Sequence, residues 1–305
     1  MQVKGQRSKV RNLLLRTFAL CPLTFVLILT FDLCPLTSNL TAAQSKLTPS
    51  YEVFAVRFAH VPYPLSSLVA GAEKGPQVDI AFTVWPIRDT ASGRVLLVDA
   101  GFYRAKFVQR WKPQDYARPS EALQSGLGIA PDKVTDIIIT HSHWDHADGA
   151  DLFPNATIWI QKEEYEYYID DAGAVKNRGG VDADDAKMFA ALKAAGRIRL
   201  VDGDNQEIAP GIRVYTGGKH TFASQYVGVA TRDGTIIVAS DNAYLYKNLE
   251  NGLAIAQTLD PASNIAAQQR MVELAGNANR VIPGHDPAVF TRFTLVTPNV
   301  ARLTR

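Results

Sequence analysis

The sequence predicts a layered α/β domain, and two observations carry that prediction. Short β-branched runs that read as strands are interleaved with helical segments, an order that favours stacked sheets and helices over an all-β sandwich. No internal repeat, low-complexity tract or long linker interrupts residues 44–305, so that stretch reads as one domain. The 305-residue chain is 47% hydrophobic and 20% charged, which suits a globular chain that buries a full core.

The elements follow in order. Residues 51–58, 78–85 and 94–99 read as strands, with Thr90-Ala91-Ser92-Gly93 turning the chain between the last two. Pro119-Ser120-Glu121 opens a helix that closes near Gly126 or Gly128. Residues 134–140, rich in isoleucine and threonine, form a buried strand that delivers the chain straight into His141. Residues 156–161 are a further strand, followed by a helix from Lys162 to about Ile169. A second helix over 184–195 is closed by Gly196. Residues 212–216 are a strand, and 226–231 with 235–240 form a hairpin across Asp233-Gly234. A helix at about 262–275 and a strand at 280–282 end the series.

Residues 1–43 stand apart from this domain. Lys4, Arg7, Lys9, Arg11 and Arg16 form a basic zone, residues 17–31 an apolar run, and Thr41-Ala42-Ala43 a small-residue cleavage site. That order is the secretory signal pattern. A retained anchor is the rival, but a run of about 15 residues broken by Pro22 falls short of the ~20 that span a bilayer. The expectation is export to the periplasm or beyond, with the leader removed and no stable membrane association afterwards. The whole chain counts 32 basic and 30 acidic residues; the leader holds five basic and one acidic, Asp32, which leaves 27 and 29. The apparent basicity thus belongs to the leader, and a nucleic-acid partner is not expected. Cys21 and Cys34 also leave with the leader, and neither follows the small residue expected before a lipidated cysteine. Any metal in the remaining chain must be held by His, Asp or Glu.

Three of the six histidines lie within His141-Ser142-His143-Trp144-Asp145-His146. His141 and His143 at a strand's end converge on one ion if the backbone bends into a loop there. Asp145 and His146 offer a carboxylate and an imidazole to a second ion, and both ligand types suit zinc and similar divalent metals. His60 lies apart, between Ala59 and Val61-Pro62, and reads as structural or pocket-lining.

His-x-His-x-Asp-His after a hydrophobic strand resembles the metallo-β-lactamase superfamily, and the later elements of that family follow in order over most of residues 44–305. The resemblance implies an αββα sandwich, two mixed β-sheets flanked by helices, with the metals at one edge of the sheets. It implies that Asp99, ending Val98-Asp99-Ala100-Gly101, buttresses the metal loop. It further implies His220 as a third ligand to the first ion, Asp241 as a bridging carboxylate and His285, in Pro283-Gly284-His285-Asp286, as the last ligand. The implied set is then His141, His143 and His220 on one ion, Asp145, His146 and His285 on the other, and Asp241 between them. Zinc is the default metal, with iron, manganese and cobalt accepting the same ligands. Two ions at about 3.5–4 Å would share a hydroxide at neutral pH that attacks the substrate, with Asp145 carrying the proton.

Two departures from the family pattern stand out. Gly217-Gly218-Lys219-His220 replaces the usual Pro-Gly-His, and Asp148-Gly149 replaces a Gly-Gly pair, adding a carboxylate that either braces a ligand or faces solvent. Within the family, His143 disfavours a redox diiron site, which carries Glu there, and the absence of cysteine from residues 44–305 disfavours the largest group of true β-lactamases. Lactonases, organophosphate or aryl-ester hydrolases and glyoxalase II-like thioesterases remain. Tyr244, three positions after Asp241, matches the tyrosine of N-acyl homoserine lactonases, whose hydroxyl meets the oxyanion or ring oxygen. A small ester or lactone is therefore the expected partner. The alternative from another class is an exported metal-binding protein without turnover. Tyr165 and Tyr168, on a stretch that also bears Tyr167, share a helical face that packs in the core or toward a pocket rim, and Phe102, Tyr103 and Phe107 are open to either core packing or lining an acyl pocket.

Overall fold

A computed structural model describes residues 50–305. The expected leader, its cleavage site and both cysteines lie outside the described residues. The elements run β1 (Tyr51–Pro64), β2 (Gln77–Asp89), β3 (Val95–Val98), α1 (Ala105–Trp111), α2 (Pro119–Leu127), β4 (Val134–Ile138), α3 (Trp144–Ala147), β5 (Thr157–Gln161) and α4 (Lys162–Tyr168). They continue with α5 (Ala183–Ala194), β6 (Ile198–Val201), β7 (Gln206–Ala209), β8 (Ile212–Thr216), β9 (Gln225–Thr231), β10 (Gly234–Ser240), α6 (Tyr246–Asn251) and α7 (Pro261–Ala275). β11 (Val281–Pro283), α8 (Val289–Arg292), β12 (Thr294–Thr297) and β13 (Val300–Arg302) complete the chain.

The strands form two mixed sheets, one of eight in the order β12-β13-β1-β2-β3-β4-β5-β6 and one of five in the order β11-β10-β9-β8-β7. Both sheets are covered on both faces, which is why the strands read as nearly continuous apolar runs. The period-2 alternation of side chains then sorts residues into three layers. Val53, Ala55, Leu96 and Val98 of the large sheet face Val214, Val227, Ile236 and Val238 of the small one. Their neighbours Phe54, Val56, Val95 and Leu97 point the other way, toward Leu123 of α2, Tyr165 of α4 and Phe189 of α5. Ile237 and Ala239 turn outward from the small sheet onto Ala267 and Met271 of α7. Three apolar layers between four layers of structure make the αββα sandwich that the sequence predicts.

The differences from expectation are local. β1 and β2 are longer than predicted, pairing antiparallel from Tyr51↔Asp89 to Pro64↔Gln77 around a bulge between Arg57 and Ala59. Pro62 and Pro64 hide that extension, because proline in a run argues against a strand except at margins. In the hairpin of β9 and β10, Gly234 pairs with Thr231, so the turn residues are Arg232-Asp233 rather than Asp233-Gly234. The short strands β6, β7, β12 and β13 and the helices α1, α6 and α8 had no periodic signal long enough to read. Among the described residues no helix is long and apolar enough to cross a membrane.

Candidate metal centre

The two sheets deliver their polar residues to one edge. β3 and β4 run parallel, as do β10 and β11, so their C-terminal ends point the same way. Asp99 follows β3, His141 comes three residues after β4, Asp241 follows β10 and His285 comes two residues after β11. His146 sits in the short helix α3, and His220 in the loop between β8 and β9. Asp99 (φ 57°) and Ser240 (φ 47°) both adopt the left-handed backbone that L-residues avoid, a strain that concentrates where side chains must be aimed.

All seven residues expected as ligands come together. His141, His143, His220 and Asp241 form one group, and Asp145, His146 and His285 a second. In the first, Nδ1 of His143 lies 3.0 Å from Nε2 of His141 and 2.9 Å from Nε2 of His220. Oδ2 of Asp241 lies 3.6 Å from His141 Nε2 and 3.3 Å from His220 Nε2. The other oxygen of Asp241 faces the second group, 3.2 Å from His146 Nε2 and 3.0 Å from His285 Nε2. Oδ2 of Asp145 stands 3.6 Å from His146 Nε2 and 3.8 Å from His285 Nε2. Asp241 thus divides its two oxygens between the two groups.

Every imidazole has its outer nitrogen tied to an oxygen. His143 Nε2 donates to the Gly179 carbonyl at 3.0 Å, His220 Nδ1 to Gln257 O at 2.8 Å and His285 Nδ1 to Ala81 O at 2.9 Å. His146 Nδ1 meets Asp99 Oδ2 at 2.8 Å, and His141 Nδ1 meets Thr140 Oγ1 at 3.1 Å. Asp99 also accepts from Thr140 N, Thr140 Oγ1 and Ser240 Oγ at 2.8–2.9 Å. A proton held on each outer nitrogen turns the lone pair of the inner one toward the shared space.

That arrangement fits divalent cations better than hydrogen bonding. Nδ1 of His143 has a single lone pair or proton, so it cannot satisfy two neighbouring nitrogens whose own lone pairs face it. Nitrogens held 2.0–2.1 Å from a tetrahedral ion lie about 3.3 Å apart, within the spread of the contacts above. Oδ1 of Asp241 and Nε2 of His146 are buried without a hydrogen-bond partner. Burial, with the imidazole of His220, pushes His143 down to about 4, and burial likewise holds His141 well below the ordinary histidine value. Burial alone would raise Asp241, but the facing imidazoles of His146 and His285 outweigh it and hold the carboxyl well below the usual range. Neutral His141 and His143 and ionised Asp241 are in the forms that bind metals, whereas burial of His146 and His285 is outweighed by Asp241 and Asp145, which raise both imidazoles and leave them a proton to shed to a cation.

The remaining expectations resolve individually. Asp99 buttresses His146 as described. Asp148 is buried, not solvent-facing, and accepts from the backbone of Tyr103 and Arg104 at 2.6 and 2.9 Å. Glycine is required beside it, since a Cβ on Gly149 would collide with the Ala100 carbonyl. His60 bridges Asp79 and Asp115 at 2.9 and 3.2 Å, apart from the cluster. Tyr165, Tyr168, Phe102 and Phe107 are core residues, Tyr103 bonds Asp151, and Tyr167 stacks on Phe222 at 3.8 Å.

The cavity over the cluster, about 180 Å³, is walled instead by Tyr63, Leu68, Ile80, Phe82, Trp111 and Trp144, and Tyr244 and Gln257 also line it. Trp144 stacks between Trp111 and Phe107, at 5.2 and 4.7 Å. The hydroxyl of Tyr244 lies 3.3 Å from His220 Nδ1. Since that nitrogen gives its proton to Gln257, it has no lone pair for Tyr244, whose own proton stays free for a ligand in the cavity.

Sequence reasoning missed Ser240, Asn242, Gln257 and Glu164. Asn242 accepts from Gly218 N at 2.7 Å and anchors the loop that carries His220. Glu164 is fully buried and had one available signal, since it lies four residues before the apolar-faced Tyr168 on the same helix.

Comparison with known proteins agrees with this geometry. The model of the metallo-beta-lactamase superfamily matches residues 83–285. An N-acyl homoserine lactonase of Bacillus thuringiensis is 28% identical over 163 residues, covering 52% of this chain and 59% of that protein. The human metallo-beta-lactamase domain-containing protein 1 is 25% identical over 167 residues, covering 53% of this chain and 51% of that protein. The similarity therefore takes in little more than half the length of these curated relatives. A crystal structure of a quorum-quenching N-acyl homoserine lactone lactonase superposes with a TM-score of 0.66 at 20% identity, covering 82% of this chain and 97% of the other. That is a likeness of fold. With the matched stretch spanning Asp99 and all seven clustered residues, the chain belongs to the metallo-β-lactamase superfamily.

Proposed function

We propose that this chain is a metal-dependent hydrolase that opens a lactone ring, with an N-acyl homoserine lactone as the first substrate to test. The observation that carries the hydrolase reading is the division of Asp241 between two groups of inward-facing imidazoles. The substrate reading is supported by Tyr244 and by the similarity to N-acyl homoserine lactonases.

In this reading His141, His143, His220 and Asp241 hold one divalent cation, and Asp145, His146, His285 and Asp241 a second, with zinc as the default for both. Such cations supply Lewis acidity and acidify water to a pKa of about 7. Asp145 is the most exposed carboxylate of the cluster, at 14% against 5% for Asp241, and is placed to take a proton from the attacking water and return it to the leaving group. Tyr244 donates its free hydroxyl proton to the carbonyl or ring oxygen of the substrate as negative charge develops. The aromatic wall of Phe82, Trp111 and Trp144 holds the apolar part of the substrate and excludes water from one side of the reaction.

The test is pH-stat hydrolysis by the zinc-loaded protein of an acyl homoserine lactone, beside paraoxon and a phenyl ester. Proton release with the lactone alone supports the proposal. Turnover of paraoxon or the phenyl ester without the lactone would replace it with an organophosphate or aryl-ester hydrolase on the same site. Export belongs to the proposal as well. Expression of the full chain in a bacterial host is expected to yield a periplasmic product beginning near residue 44, read by N-terminal sequencing. A cytoplasmic product that keeps Met1 would remove that part.

A further inference from the structure

We propose that Glu164, unused in the reading above, is a positioning residue that sets His141, His143 and His220 against one another; the inference rests on the metal reading of that group. Glu164 lies in the first turn of α4 and is fully buried. Its Oε1 accepts from Ser142 N at 3.1 Å and Ser142 Oγ at 2.9 Å, and its Oε2 accepts from Ala223 N at 2.8 Å. Ser142 sits between His141 and His143, and Ala223 stands three residues past His220. One carboxylate therefore spans the two loops that bring the three imidazoles together.

Two further observations point the same way. Tyr168, one turn later on the same helix face, accepts from Phe222 N at 3.2 Å and adds a second tie from α4 to the His220 loop. The ring of Tyr168 also packs on Gly180, where a Cβ would collide with it. The neighbouring Gly179 carbonyl receives His143 Nε2. α4 thus acts as a splint for the first group from both sides.

Charge gives a reason for a carboxylate at this position. No Lys, Arg or His pairs with Glu164 among the described residues, and a buried anion without a counter-charge is costly. In the metal reading the counter-charge is the cation held by His141, His143 and His220, whose two loops Glu164 ties together. An amide would fill the same space, but its NH2 would have to face the N–H of Ser142 or Ala223, donor against donor.

Chelator titration of the zinc-loaded full chain, with released zinc read by an indicator dye, tests this. The wild type is expected to hold two equivalents. Glu164→Gln is expected to release one of them at about 10- to 100-fold lower chelator, the usual effect of losing an outer partner, with the other unchanged. The melting temperature of the metal-stripped variant is read alongside. Two equivalents held as tightly as in the wild type would overturn the role of Glu164 alone. Equal weakening of both, in step with a fall in the stripped melting temperature, would reduce Glu164 to general support and also overturn it. A wild type that holds no zinc would overturn the metal reading itself. If Glu164→Gln does not fold, Ser142→Ala removes one of the three donors and is expected to weaken the same equivalent about 3- to 10-fold; an unchanged curve there overturns the proposal.

Discussion

Two pairs among the five clustered histidines are held by different means, with His285 outside both on the Ala81 carbonyl of β2. His141 and His146 are fastened by side chains at strand ends, where Thr140, Asp99 and Ser240 bond one another as well as the imidazoles. His143 and His220 are fastened by the carbonyls of Gly179 and Gln257, which lie in loops. The first arrangement is charge-assisted through Asp99 and mounted on the ends of paired strands, and bonds of that kind are roughly twice as strong as neutral ones. The second is neutral and depends on the path of two loops. Side-chain substitution therefore reaches the sheet-mounted half directly, whereas the loop-mounted half responds to whatever fixes its backbone.

Asp241 belongs to both halves, and its loss is expected to have the largest effect. Asp241→Asn keeps the shape but removes the shared anion, so both zinc equivalents are expected to weaken by more than the about 100-fold that an outer partner costs. Zinc content after gel filtration checks this, and a variant that keeps two equivalents would show that Asp241 is not shared. Tyr244→Phe is expected to leave both equivalents in place and lower lactone turnover by about 10- to 1000-fold, the range for one oxyanion donor. Unchanged turnover would remove Tyr244 from the mechanism. Asp99→Asn sharpens the contrast between the halves. Its amide must point an N–H at Thr140, Ser240 or His146, and the expected result is about 10- to 100-fold weaker binding of the equivalent on His146, with the one on His141, His143 and His220 weakened less, since Asp99 reaches it only through Thr140. Greater weakening of the other equivalent would mean that Asp99 acts mainly through Thr140 and His141 rather than through His146.

What the sequence revealed divides along the same line. The sheet-mounted half was legible because strand ends leave local marks: a β-branched run before His141, and aspartates directly after the strands ending at Val98 and Ser240. The loop-mounted half was legible only in its histidines. The partners of His143 and His220 are backbone carbonyls, and a carbonyl has no letter in a sequence. Glu164 was hidden among Glu163 and Glu166 in an acidic helix turn, where its four-residue offset from Tyr168 was the single mark of an inward face. The cavity wall stayed undecided in the sequence for a related reason. Phe102 and Phe107 lie close to Asp99 in sequence, yet they form the layer behind Trp144, while Tyr63 and Trp111 reach the cavity from β1 and α1.

The smallest expected effect concerns what stands behind the sheet-mounted half. Two residues beyond His146, Asp148 shares the guanidinium of Arg104 with Asp185, and both carboxyls are fully buried. Burial, reinforced by the charge of Asp148, pushes Asp185 up to about 9, even with Arg104 Nη1 at 2.8 Å. A carboxyl whose folded pKa lies above its unfolded value of 3.8 keeps its proton in the folded state while the unfolded chain gives it up. Its contribution to stability is then full below about pH 4 and declines as the pH climbs toward 9. Asp185→Asn carries no proton to lose. Its melting temperature is expected to vary less between pH 6 and 9 than that of the wild type, with zinc stoichiometry unchanged. Were Asp185 instead ionised against Arg104, the amide would break a buried ion pair and lower the melting temperature by a similar amount at every pH in that range. The slope of melting temperature against pH, rather than its height, therefore separates a proton-holding buttress from an ion pair.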